Sequence, residues 1–166
     1  MEPLDLAIVI VNWNGRAMLA DCLHSIAAGA DHLRYRIYVV DNGSSDGSQA
    51  MLRREFPHVI LREPDHNLGF AGGNNVALRE ILARSDTAPP FVLLLNPDTI
   101  VQPGALQALL HEARANPRIG VAGALLLNLD GSFQASYVDF PSLRQEFLIL
   151  SGLGRNGTAR TTPRTA

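Results

Sequence analysis

Apolar residues along this chain fall into short unbroken runs, separated by longer stretches in which they return every three or four positions. The runs are "AIVIV" (7 to 11), "IYVV" (37 to 40), "VIL" (59 to 61), "FVLLL" (91 to 95) and "GVAGALLL" (120 to 127). Their length and their Val, Ile and Leu content predict strands. Because the runs do not alternate with polar residues, the strands are expected to be buried on both faces, as in a parallel sheet with helices on either side. Helices are predicted from Gly15 to Gly29, over "SQAMLRREF" (48 to 56), over "AGGNNVALREILARS" (71 to 85) and over "PGALQALLHEARANP" (103 to 117). Asp46 and Gln49 have the spacing of a capping box for the second helix, and Pro103 suits the first turn of the last. The whole is an α/β pattern with no internal repeat. Asp130-Gly131 predicts a tight turn. The stretch 151 to 166 has no periodicity and no bulky apolar residue beyond Leu153, so it is expected to be a disordered tail after a domain spanning 1 to 150.

In open α/β sheets ligands bind beyond the carboxyl ends of the strands. The residues that follow the runs are polar: Asn12-Trp13-Asn14-Gly15, Asp41-Asn42-Gly43-Ser44-Ser45-Asp46, Asn67 through Asn75, and Asn96-Pro97-Asp98. Asp46, Ser45 and Asn67 have ordinary uses as caps and turn formers. Asp41 and Asp98 differ, since each stands at the end of a buried run where a bare carboxylate needs a partner, and ligand contact is the expectation for both. Gly72 and Gly73 would open a helix with free N–H groups for an anion or a ribose. The glycine stretch "GFAGG" is neither spelled nor placed as a dinucleotide fingerprint, and no P-loop is present.

Composition removes several classes of chemistry. All 14 basic residues are Arg, which excludes a lysine Schiff base and a P-loop lysine. A net charge of -2 gives no electrostatic case for nucleic acid. The five His residues lack metal-ligand spacing, and the lone Cys22 in "MLADCLHSI" is expected to pack as a small apolar residue. No segment approaches the ~20 apolar residues that span a bilayer, so the expected location is the cytoplasm.

Five motifs, "AIVIVNWNG", "YVVDNGSSDGS", "NLGFAGGNN", "LLLNPDTIVQPGAL" and "NLDGSFQASYVDFPSL", occur in an order that resembles the family 2 glycosyltransferases of GT-A fold, most closely the rhamnosyltransferase-like branch. The resemblance implies a mostly parallel Rossmann-like sheet and transfer of a sugar, with inversion, from a nucleotide-diphosphate donor. It leans toward a dTDP- or UDP-sugar, rhamnose among them, and toward a glycan or lipid-linked acceptor that would bring the protein to the inner face of a membrane. It places Asn12 and Asn14 against the nucleoside, Asp41 on the base or ribose, and Asn67 with a Gly69 to Asn75 loop (Gly69, Gly72, Gly73, Asn74, Asn75) around the pocket. Asn96 adds to the donor site, and Asp98, last residue of the Asn96-Pro97-Asp98 motif, would coordinate Mg²⁺ or Mn²⁺ on the two phosphates.

The resemblance also implies a later acidic motif carrying the general base, and none follows Asp98. Asp130 stands in a predicted turn, Asp139 precedes "FPSL" and Glu146 lies in a helical pattern, so the catalytic base is unassigned. The fold is therefore expected to be incomplete at its C-terminal side, with an open sheet edge that invites self-association. The alternatives to an active transferase are an inactive nucleotide-sugar-binding fragment and a scaffold.

Overall fold

The computed structural model describes residues 3–30, 32–84, 87–134 and 151. The chain divides into two compact units, Met1–Ile119 and Gly120–Ala166. The first holds a four-stranded sheet built from β1 (Leu6–Asn12), β2 (Tyr35–Asp41), β3 (Ile60–Arg62) and β4 (Phe91–Leu95). All its pairings are parallel and the order is β3-β2-β1-β4. The helices are α1 (Arg16–Gly29), α2 (Ser48–Glu55), α3 (Gly69–Leu82) and α4 (Ala105–Ala115).

Side chains of β1 alternate between two cores, as the period of two in a strand requires. Leu6, Ile8 and Ile10 join a cluster with Leu19, Cys22, Leu23 and Ile26 of α1, Met51 and Leu52 of α2, and Leu106 and Leu110 of α4. Ala7 and Val9 enter a second cluster with Tyr38, Val40 and, from α3, Ala77 and Ile81. The spacing of Leu19, Cys22, Leu23 and Ile26 puts one apolar stripe of α1 against the sheet. Each fully buried Ile or Leu in these clusters contributes about 2 kcal/mol by leaving water. Cys22 packs here as expected, fully buried and free. Helices thus cover both faces of β1 and β2, and the sheet is mostly parallel as the sequence predicts.

β4 departs from that expectation. Phe91, Leu93 and Leu95 pack on the first cluster, but Val92 and Leu94 on the opposite face are 37% and 46% exposed. The second-face helix, α3, lies over β1 and β2, so an unbroken apolar run did not mean burial on both sides here.

Three local expectations are also corrected. The second helix has no capping box: its N-cap is Gly47, and the Gln49 side chain is drawn to Asp41. Pro103 precedes the last helix, whose N-cap is Gly104 at a φ of 82 that favours glycine. The run 120 to 127 yields only β5 (Leu126–Leu127), paired antiparallel with β6 (Phe133–Gln134) within the second unit. Asp130-Gly131 does form the turn between them, with Gly131 at a φ of 80 and Asp130 Oδ1 accepting from Ser132 N at 2.9 Å. Asp139, Glu146 and, apart from Ser151, the predicted tail lie outside the described residues.

Candidate functional site

The chain runs outward from β1 through β2 to β3, then returns across the sheet to β4 on the other side of β1. That reversal creates a switch point at the carboxyl ends of β1 and β4, the usual ligand crevice of an open sheet. Register brings Asn12 opposite Asp41 and Ile10 opposite Leu95, so the polar ends of three strands meet at one edge.

Asp41 is the hub of the β1 and β2 side. Its Oδ2 accepts from Asn12 Nδ2 at 2.8 Å and from Ser44 Oγ at 2.7 Å. Its Oδ1 accepts from Ser44 N at 2.8 Å and from Gln49 Nε2 at 2.9 Å. Complete burial works against ionisation, but the hydrogen bonds from Asn12, Gln49 and Ser44 outweigh it and hold the carboxyl below its ordinary range. Both carboxylate oxygens are thus committed to the protein.

The network reaches the surface through Asn14, which has a φ of 51, a left-handed conformation that Asn tolerates better than most residues. Its N–H donates to Ser44 Oγ at 2.8 Å and its Oδ1 accepts from Ser45 N at 2.8 Å. Asn12 Oδ1, by contrast, is buried without a hydrogen-bond partner among the described residues, beside Gly15, where a Cβ would come within 2.8 Å of it. Between the two fixed asparagines stands Trp13, 62% exposed. A large planar apolar side chain held out at a switch point can stack on a ring. Sequence reasoning passed over it, although an aromatic flanked by two Asn directly after a strand was the available signal.

Asp46 accepts from the first amide of two helices. Oδ2 accepts from Arg16 N at 2.8 Å at the start of α1, and Oδ1 accepts from Ser48 N at 3.0 Å at the start of α2. Its side chain therefore ties the loop after β2 to both helices.

The segment Gly69 to Asn75 is not a loop but the first two turns of α3, which starts at Gly69. Gly73 is the close-packing point of this helix on the sheet, since a Cβ there would lie 2.8 Å from Val11 Cγ1. Asn74 is buried and its Nδ2 donates to Phe70 O at 2.9 Å, whereas Asn75 is exposed. Asn42, missed as a site residue, anchors the helix start: Nδ2 donates to Gly69 O at 3.1 Å and Oδ1 accepts from Leu68 N at 3.4 Å. Asn67 Oδ1 accepts from Gly69 N at 2.8 Å. With the helix starting at Gly69, the first-turn amides left without an intrahelical partner or one of these caps are those of Phe70 and Ala71, not of Gly72 and Gly73.

On the other side of the switch point, Asn96 and Asp98 are both exposed after β4. The turn is closed by Thr99 N donating to Asn96 O at 3.3 Å. The Asp98 side chain makes no hydrogen bond or ion pair among the described residues, and no group of three His, Cys, Asp or Glu is assembled there to hold a metal. One free carboxylate is a hard oxygen donor, and it fits Mg²⁺ or Mn²⁺ provided phosphate and water complete the shell. Beneath the turn, burial and the neighbouring Asp98 carboxylate raise the Cys22 thiol to about 12, so it stays neutral.

A parallel sheet flanked by helices, with a polar crevice at its switch point, gives the chain an α/β fold of the GT-A type. The chain belongs to glycosyl transferase family 2, whose sequence model matches residues 7–163. It is 30% identical over 143 residues to the N-acetylglucosaminyl-diphospho-decaprenol L-rhamnosyltransferase of Mycobacterium tuberculosis, covering 83% of this chain and 46% of that protein. Among solved structures it is similar to the mannosyltransferase PcManGT of Pyrobaculum calidifontis in complex with GDP-Man and Mn²⁺, with a TM-score of 0.60 and 21% identity over 72% of this chain and 35% of the other. TarS 1-349 of Staphylococcus aureus in complex with UDP-GlcNAc gives a TM-score of 0.56 and 20% identity over 68% of this chain and 32% of that one. The chain thus spans less than half the length of these relatives. Among the described residues no helix is long and apolar enough to cross a membrane.

Proposed function

We propose that this chain is the donor-binding part of a glycosyltransferase that moves a sugar, with inversion, from a nucleoside diphosphate to a glycan or lipid-linked acceptor. The observation that carries the reading is the unengaged Asp98 carboxylate at the switch point, one step across the sheet from the pinned Asn12–Asp41 pair. The base would lie against Trp13, Asn12 and Asn14. Asp41 would reach the base or ribose by exchanging one of its four hydrogen bonds, and Gln49, whose side chain has no other partner among the described residues, is the one to be displaced. Asn67 and the α3 start (Gly69, Gly72, Gly73, Asn74, Asn75) wall the far side, with the Phe70 and Ala71 amides facing an anion.

Asp98, with Asn96 beside it, would hold Mg²⁺ or Mn²⁺. When bound, the cation supplies charge neutralisation on the departing diphosphate. A single protein carboxylate implies weak metal affinity without the nucleotide. A lipid-linked acceptor of the kind in the mycobacterial relative's name, and hence work at the inner face of a membrane, fits a dTDP- or UDP-linked donor such as rhamnose. The outer edge of β4, which carries no further strand among the described residues, supports self-association of the isolated chain through an open sheet edge.

Calorimetric titration with UDP, dTDP and GDP, each with and without Mn²⁺, tests the central statement. Metal-enhanced binding of one of them is expected, and no binding by a folded sample would refute it.

A further inference from the structure

Asp98 sits at the crest of a turn that does little to hold itself. Among the described residues its internal bond is the 3.3 Å contact from Thr99 N to Asn96 O. Support comes instead from α1, more than seventy positions earlier in the chain. At the near end, Cys22 Sγ donates a long, weak hydrogen bond of 3.7 Å to Asn96 O. At the far end, Ser25 Oγ accepts from Val101 N at 2.9 Å. The Ser25 hydroxyl donates in turn to Cys22 O at 2.7 Å, and that bond fixes its proton and leaves a lone pair for Val101. Gly29, one turn on, lets the helix close in, since a Cβ there would stand 3.3 Å from Gln102 O. The Val101 side chain is buried in the first core cluster, so the far end of the turn is anchored twice.

We propose that Ser25 is a positioning residue for cation binding: its hydroxyl fixes the far end of the Asn96–Val101 turn and thereby holds the Asp98 carboxylate in one place. The inference rests on the assignment of Asp98 to the metal. A cation held by one carboxylate gains from having that carboxylate placed in advance, because otherwise the cost of ordering the turn falls on binding. Ser25 would act through the turn, by its bonds to Cys22 O and Val101 N, and it lies outside the five sequence motifs.

The test compares the affinity for UDP and for dTDP, with and without Mn²⁺, in the wild-type chain, Ser25→Ala, Ser25→Thr and Asp98→Ala, together with hydrogen exchange at the Val101 and Thr99 amides. Loss of one hydrogen bond to a buried amide predicts that Ser25→Ala reduces the Mn²⁺-dependent gain in affinity about five- to tenfold. Metal-free affinity should change less than about twofold, and both amides should exchange faster. Ser25→Thr keeps the hydroxyl and should restore the gain. If Ser25→Ala does not fold, Ser25→Cys, similar in size but a much poorer acceptor, carries the same expectation. An unchanged Mn²⁺-dependent gain in the Ser25 variants, while Asp98→Ala loses it, would overturn this proposal alone. Equal loss of metal-free and metal-dependent affinity would also overturn it, since that is a general defect of the pocket. An Asp98→Ala chain that keeps the full Mn²⁺ effect would remove the metal assignment itself, and this proposal with it.

Discussion

Two carboxylates stand at the same edge of one sheet in opposite circumstances. Asp41, at the end of β2, is wholly buried and accepts four hydrogen bonds from Asn12, Ser44 and Gln49. Asp98, just past β4, is exposed and has no partner among the described residues. The first is built into the protein, and the second is unengaged among the described residues. The difference follows from topology: β2 is an inner strand with α2 starting just after it, whereas β4 has β1 on one side and no strand of the described sheet on the other.

Breaking the hub should have the largest effect. Asp41→Ala removes the acceptor of four donor groups, on Asn12, Ser44 and Gln49, at once and is expected to cost about 3 kcal/mol of stability in denaturant unfolding, far more than any change at Asp98. Gly73→Val should come next, at about 2 kcal/mol, because the added Cβ meets Val11 on β1 and forces α3 off the sheet. A neutral result at Gly73 would mean that the helix start is freely movable and does not define the site.

Asp98→Ala should sharpen the contrast from the other side. The exposed position predicts a stability change within about 0.5 kcal/mol, while the Mn²⁺-dependent part of nucleotide binding disappears in calorimetry. Acid titration tests the hub more gently. Asp41 and Asp46 have folded-state values below the ordinary carboxylate value of 3.8, so their contribution to stability is present above that value. It is lost as pH falls through their lower folded values. Unfolding followed by circular dichroism should therefore steepen below about pH 4. Asp41→Asn should flatten that dependence, and an unaltered acid limb would argue against the hub. The smallest effect is expected at Asn14→Gly, where relief of the left-handed strain offsets loss of the bond to Ser45, leaving stability within about 0.5 kcal/mol of wild type.

Much of the fold could be read from residue pattern alone. β1 to β4 and the first four helices fall where the apolar runs and the three- and four-residue spacings put them, because burial against a sheet demands those periods. The errors lie where a local signal had a stronger competitor. Gln49 has the spacing of a capping box, but a buried carboxylate offers its amide a better partner than the helix end. The apolar run at 120 to 127 was long enough for a strand but found pairing only at Leu126–Leu127. At the site, Asp41 and Asp98 stood out as carboxylates ending apolar runs. Nothing local to Ser44, Asn42 or Ser25 marks the atoms they bond, which come from segments near in space.

The sequence by itself determined the alternation of strands and helices, the polar strand ends and the family, since each depends on residue type and short-range order. Only the tertiary structure decided that Asp41 is consumed by the protein while Asp98 stays free, that α3 begins two residues before its predicted start, and that α1 underpins the Asp98 turn. Those outcomes depend on which distant backbone and side-chain groups are brought within about 3 Å of one another, and hydrogen bonding at that range is set by packing rather than by neighbours in the chain.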